Sequence, residues 1–152
     1  MKHKKVLVVH PFVDTIKKQY QQRERLFDNG LLPAFELEVI PAVQSIAGQD
    51  TGFKDWFVAL DSMKEQISKR TFDVCILGCG AYGFPLASFV KNMGGKAIHL
   101  GGVTQLLFGI KGKRWESFIV YPYENLFNQY WVRPSKDEIP KKSTIVEGGC
   151  YW

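Results

Sequence analysis

The sequence predicts an α/β fold built on a mostly parallel sheet of about four strands. Three observations predict it. Short apolar runs, each of strand length, alternate with segments of helical period from residue 5 to about residue 108. Turn residues stand at the transitions: Pro11, Asn29-Gly30, Pro41 and Gly94-Gly95. The chain has 152 residues, 45% of them hydrophobic and 23% charged, which suits one globular domain and excludes disordered and collagen-like chains.

Lys5-Val-Leu-Val-Val9 is a continuous apolar run stopped by His10-Pro11 and reads as a buried parallel strand. Residues 16–28 follow as a helix, with Ile16, Tyr20 and Leu26/Phe27 near helical spacing, Asp14 or Thr15 as its cap, and Asn29-Gly30 as its end. Phe35-Glu-Leu-Glu-Val-Ile40 alternates up to Pro41, a second strand suited to a sheet edge. Residues 44–53 are polar and glycine-containing, a loop. Trp56, Leu60, Met63 and Ile67 then mark an amphipathic helix over 56–69.

Residues 72–77 form the third and most central strand, and a helix runs from the glycines after it to about Asn92. Residues 96–100 form the fourth strand, and Gly101-Gly102 opens a short helix over 103–108. Residues 109–115 make a basic, glycine-rich loop. The remainder is an aromatic-rich, irregular segment with a short helix near 124–130. No internal repeat and no linker divides the chain, so 1–152 reads as a single domain. Right-handed crossovers give the order 2-1-3-4 as the simplest arrangement of a Rossmann-like, three-layer fold.

No apolar run approaches the roughly 20 residues of a membrane helix. Met1-Lys-His-Lys-Lys5 has the charge of a signal-peptide start, but the apolar stretch behind it is too short, so a cytoplasmic location is expected. Cys75, Cys79 and Cys150 are odd in number and lack metal-ligand spacing, which argues against a disulfide framework. The formal charge of +5 suits anionic small molecules and is too diffuse to argue for nucleic acid.

In a sheet of this order, ligands bind beyond the carboxyl ends of the strands. Gly78-Cys79-Gly80-Ala81-Tyr82-Gly83 fits G-x-G-x-x-G in strand-to-helix context, where glycine permits a tight turn and close approach of a phosphate to the backbone. The acidic residue of the dinucleotide version is missing after strand four, which weakens the alternative of an NAD(P)- or FAD-linked oxidoreductase. Gly101-Gly102 makes a second turn beside the first, with Thr104 and Gln105 as polar donors. Lys111, Lys113 and Arg114 form a cationic loop able to close over a diphosphate, although Trp115 directly after it favours a packed loop. Tyr82 belongs to the same candidate binding set. His10 and His99 end or nearly end their strands and are the candidate catalytic side chains, as base or phosphate ligand. Tail aromatics and amides, among them Tyr121, Tyr123, Asn125, Asn128, Tyr130, Trp131 and Trp152, could stack on a sugar or base, or simply cover the sheet.

The runs Asp73-Val-Cys-Ile-Leu-Gly-Cys-Gly-Ala-Tyr-Gly-Phe-Pro-Leu-Ala87 and Gly94-Gly-Lys-Ala-Ile-His-Leu-Gly-Gly102 resemble the C-terminal half of GT-D-type bacterial glycosyltransferases. The run His99-Leu-Gly-Gly-x-x-Gln-Leu-Leu-Phe-Gly-Ile-Lys-Gly-Lys-Arg-Trp115 and the ending Glu147-Gly-Gly-Cys-Tyr-Trp152 are similar to a bacterial family associated with surface-polysaccharide genes, over most of the chain. The resemblance implies a nucleotide-sugar donor held at Gly78, Gly80, Gly83, Gly101 and Gly102. Enzymes of that fold carry an acidic Asp-x-Glu or Gly-Asp-Gly-Glu metal element, which this sequence lacks. A divalent metal would therefore take its ligands from outside this chain, and the implied partners are an N-terminal catalytic half or a second copy. The other alternative is a non-catalytic interaction subunit.

Overall fold

A computed structural model describes residues 2–116, 123–145 and 147–152. Residues 117–122, including Tyr121 of the aromatic tail, lie outside the described residues. Four strands form one sheet: β1 (Lys5–His10), β2 (Glu36–Pro41), β3 (Val74–Leu77) and β4 (Ala97–His99). All pair in parallel, in the order β2-β1-β3-β4 expected from the crossover rule. The last five residues of β1 are all buried, which is why its sequence is a continuous apolar run without alternation.

The helices α1 (Val13–Gln21), α2 (Trp56–Ser68) and α3 (Gly83–Asn92) make the three crossovers. On one face, Val6, Val8 and Ile76 pack with Phe12, Ile16 and Leu26 and with Phe108, Ile110, Trp115, Trp131 and Trp152 from the C-terminal third. On the other, Leu7, Val9, Cys75 and Leu77 pack against Ala59, Leu60, Met63 and Ile67 of α2 and Leu86 and Val90 of α3. The expected three layers are present, and the aromatic tail supplies much of one of them. Two short helices, α4 (Val103–Leu107) and α5 (Lys113–Glu116), complete the α-helical elements among the described residues.

Two expectations need correction. The first helix starts at Val13 and ends at Gln21, followed by a 3-10 turn at Arg23–Arg25, where residues 16–28 were expected. Neither Asp14 nor Thr15 caps it; its cap residue is Phe12, whose side chain makes no cap hydrogen bond. Glu138, far along the chain, accepts from the backbone N–H groups of Asp14 (2.7 Å) and Thr15 (3.3 Å) in their place. At the other end, Asn128 Nδ2 donates to the Arg25 carbonyl (3.0 Å) and Trp131 Nε1 to the Leu26 carbonyl (3.1 Å), which turns Leu26 into the core. The second correction concerns residues 109–115, expected as a basic, glycine-rich loop throughout. Ile110 is buried and bridges in parallel to Val132, the Lys111 N–H donates to the Val132 carbonyl (2.7 Å), and Lys113–Glu116 is helical.

Candidate functional site

Strand register builds the site. His10 pairs with Pro41, Val9 with Leu77, and Leu77 with His99, so the carboxyl ends of all four strands reach one rim. The chain leaves β1 toward β2 through α1 on one face. It leaves β3 toward β4 through α3 on the other face. The crevice between β1 and β3 is thus a topological switch point, where α/β sheets open a binding cleft. A cleft of about 470 Å³ lies there.

Its floor is His10, Gly78, Cys79 and Gly80; one wall comes from Ala42, Val43, Gln44, Ser45, Ile46 and Trp56, and the opposite wall from Gly101, Gly102, Gln105, Arg114, Tyr151 and Trp152. Both glycine turns therefore open on the same space. Each needs glycine for its own reason. Gly80 (φ +54°) and Gly101 (φ +55°) sit in the left-handed region. Gly78 does not, but a Cβ there would stand 2.6 Å from Thr104 Oγ1 and closer still to the His10 ring. Trp56, at the start of α2, stacks on Tyr82 with ring centroids 5.0 Å apart and planes within 7°. Asp55 fixes that helix start by accepting from the Val58 N–H (2.9 Å).

His10 is the most constrained polar group in the cleft. It is 3% exposed, and its Nδ1 accepts from the Phe12 N–H at 3.0 Å. Burial pushes its pKa down to about 3, so the ring is neutral near pH 7. A neutral ring offers a phosphate no positive charge, and its Nδ1 lone pair is already engaged by the Phe12 N–H. Cys79 also lines the cleft, and burial pushes its thiol up to about 12, far from a thiolate nucleophile. Gln105 is a brace: its Nε2 donates to the Tyr151 carbonyl (2.8 Å), and its Oε1 accepts from Trp115 Nε1 (3.5 Å). The Arg114 guanidinium lies over the Tyr151 ring, 4.2 Å from its centroid. Among the described residues that line the cleft, Arg114 is the one charged side chain and no Asp or Glu is present. The indole Nε1 of Trp152 is buried without a hydrogen-bond partner.

Of the residues expected at the site, His10, Gly78, Gly80, Tyr82, Gly101, Gly102, Gln105 and Arg114 line the cleft. Five do not. Gly83 gives room to His99, whose ring a Cβ would strike, and His99 packs edge-on to Phe84 at 4.8 Å. Thr104 is fully buried beneath Gly78, its hydroxyl unpartnered. Lys111 Nζ lies over the Phe127 ring at 5.5 Å, and Lys113 Nζ donates to the Gly148 carbonyl at 3.4 Å. The sequence reading missed the wall after β2. The signal was available, since the rim rule applies to every strand end and 42–46 directly follows one.

Among the described residues, no group of His, Cys, Asp or Glu could hold a metal ion, and no helix is long and apolar enough to cross a membrane. Compared with protein-family models, curated proteins and solved structures, the chain matches none.

Proposed function

We propose that the chain is a nucleotide-sugar-binding domain related to glycosyltransferases and working on the cytoplasmic side of bacterial surface-polysaccharide synthesis. The observation that supports this reading is the convergence of two glycine turns and one guanidinium on a cleft at the sheet's switch point, with no Asp or Glu among its described lining residues. Backbone close to the ligand at Gly80, Gly101 and Gly102, together with Arg114, suits the diphosphate. The apolar pouch of Ala42, Val43, Ile46 and Trp56 suits the base, and the aromatic pair Tyr151 and Trp152 suits the sugar. In this reading the chain captures and orients the donor. A divalent metal, where used, would take its ligands from outside this chain.

Isothermal calorimetry of the protein with uridine, guanosine and thymidine diphosphates and their glucose conjugates tests the proposal. NADH and FAD serve as comparison ligands. Binding of at least one nucleoside diphosphate, weakened about tenfold or more by Arg114→Ala, is the expected result. Binding of NADH or FAD alone, or of nothing in the panel, overturns it.

A further inference from the structure

The geometry points to His10 as a fixed, neutral hydrogen-bond donor that reads an acceptor oxygen of the bound nucleotide through Nε2–H. This rests on the nucleotide-binding reading above and assigns the residue a recognition role in place of acid–base chemistry. Three contacts orient the ring. Nδ1 is occupied as an acceptor by the Phe12 N–H, so a neutral ring carries its proton on Nε2. The Cδ2 edge lies against Gly78, where no Cβ intervenes. The ring also packs edge-on to Phe12, with centroids 4.8 Å apart. Its tautomer and rotation are thus set before any ligand arrives.

Nε2 is the remaining polar atom of the ring. It has no hydrogen-bond partner among the described residues, and the ring that carries it lines the cleft. The other ionisable side chains among the described residues that line this cleft are Cys79, Tyr82, Tyr151 and Arg114. None is a carboxylate, so an imidazolium would find no counter-charge among these side chains and would share the cleft with a guanidinium. The ring therefore gains nothing from a proton and keeps its donor. A neutral donor at the base of the cleft favours ligand atoms that only accept, such as a phosphate or carbonyl oxygen. It disfavours an ammonium or an amide N–H in that place.

Nitrogen-15 NMR of the imidazole reads the state directly. In the ligand-free protein His10 should show the neutral Nε2–H pattern unchanged from pH 5 to pH 8. A ring that titrates in that range, or that carries its proton on Nδ1, overturns the inference. Uridine diphosphate, uridine and inorganic diphosphate are then added separately. A shift of the Nε2 signal with uridine diphosphate, shared by one of the two fragments, is expected and identifies the acceptor as phosphate or carbonyl. Calorimetric binding of uridine diphosphate without that shift overturns the inference and leaves the nucleotide reading standing. Absence of binding by every nucleoside diphosphate removes both. As a second line, His10→Leu should weaken uridine diphosphate binding about tenfold, and His10→Gln, which keeps an N–H near the same place, should recover part of it. Equal affinity of folded Leu and Gln variants counts against the inference.

Discussion

Gly78 and Gly80 belong to one motif, yet they answer to different physics. A Cβ on Gly78 meets the His10 ring and the Thr104 hydroxyl, both on buried residues with nowhere to move. At Gly80 a Cβ meets nothing within 4 Å, and only the positive φ resists it. Gly78→Ala is therefore expected to lose about 1–3 kcal/mol through overpacking and to shift the His10 imidazole signals. Gly80→Ala should cost about 1 kcal/mol and leave those signals in place. Urea unfolding with imidazole NMR checks the pair, and equal behaviour of the two variants would contradict the packing argument. The motif's spacing was legible in the sequence, because glycine at strand ends announces a backbone that a side chain would block. What blocks it was not legible. Gly83 looks like part of the ligand turn and instead gives room to His99, a contact set by the β3–β4 register and not by any local pattern.

The strands and longer helices were readable because their determinants are local. The run in β1 reports burial on both faces, and the apolar spacing in α2 reports the stripe Ala59, Leu60, Met63 and Ile67. α1 departs from that rule. It lacks a side-chain cap of its own, and its first N–H groups are satisfied by a carboxylate 124 residues away from Asp14. Glu138 Oε2 is in turn held by Ser135 Oγ at 2.9 Å and by the Thr15 hydroxyl. A carboxylate at a helix start both accepts the unpaired N–H groups and meets the positive end of the helix dipole. Glu138→Ala is expected to lower stability by about 1–2 kcal/mol, with Glu138→Gln between it and the parent. The measurement is the urea midpoint at neutral pH. A change under about 0.5 kcal/mol, the usual scale of an ordinary surface substitution, would mean the contact does not anchor the tail to α1.

The C-terminal third has no hydrophobic period, and that is why its role could not be read from the sequence beyond its aromatic content. Its turns are short 3-10 segments, and its partners are remote: Asn128 reaches Arg25, Trp131 reaches Leu26, and Glu138 reaches Asp14 and Thr15. No local rule gives those addresses. Their consequence is that the tail and the sheet share one core. Trp152 is 8% exposed within the cluster that contains Val6, Val8 and Ile76, and its backbone oxygen accepts from Arg133 Nη1 at 3.1 Å. Gly112 has no room for a side chain because the Tyr151 backbone passes it, with the Tyr151 carbonyl 2.8 Å from where a Cβ would stand. Tyr151 and Trp152 also form one wall of the cleft, so the covering of the core and the shape of the site are the same structure. Trp152→Ala should therefore cost about 3–5 kcal/mol, the range for emptying a large aromatic site. Tryptophan fluorescence and far-UV circular dichroism should still unfold together at the lower midpoint, because the remaining tail stays within the common core. Nucleoside diphosphate binding should weaken in the folded variant as the wall is lost. A fluorescence transition that separates from the backbone transition, with the sheet as stable as before, would instead make the tail an appendage and detach the cleft's far wall from the fold.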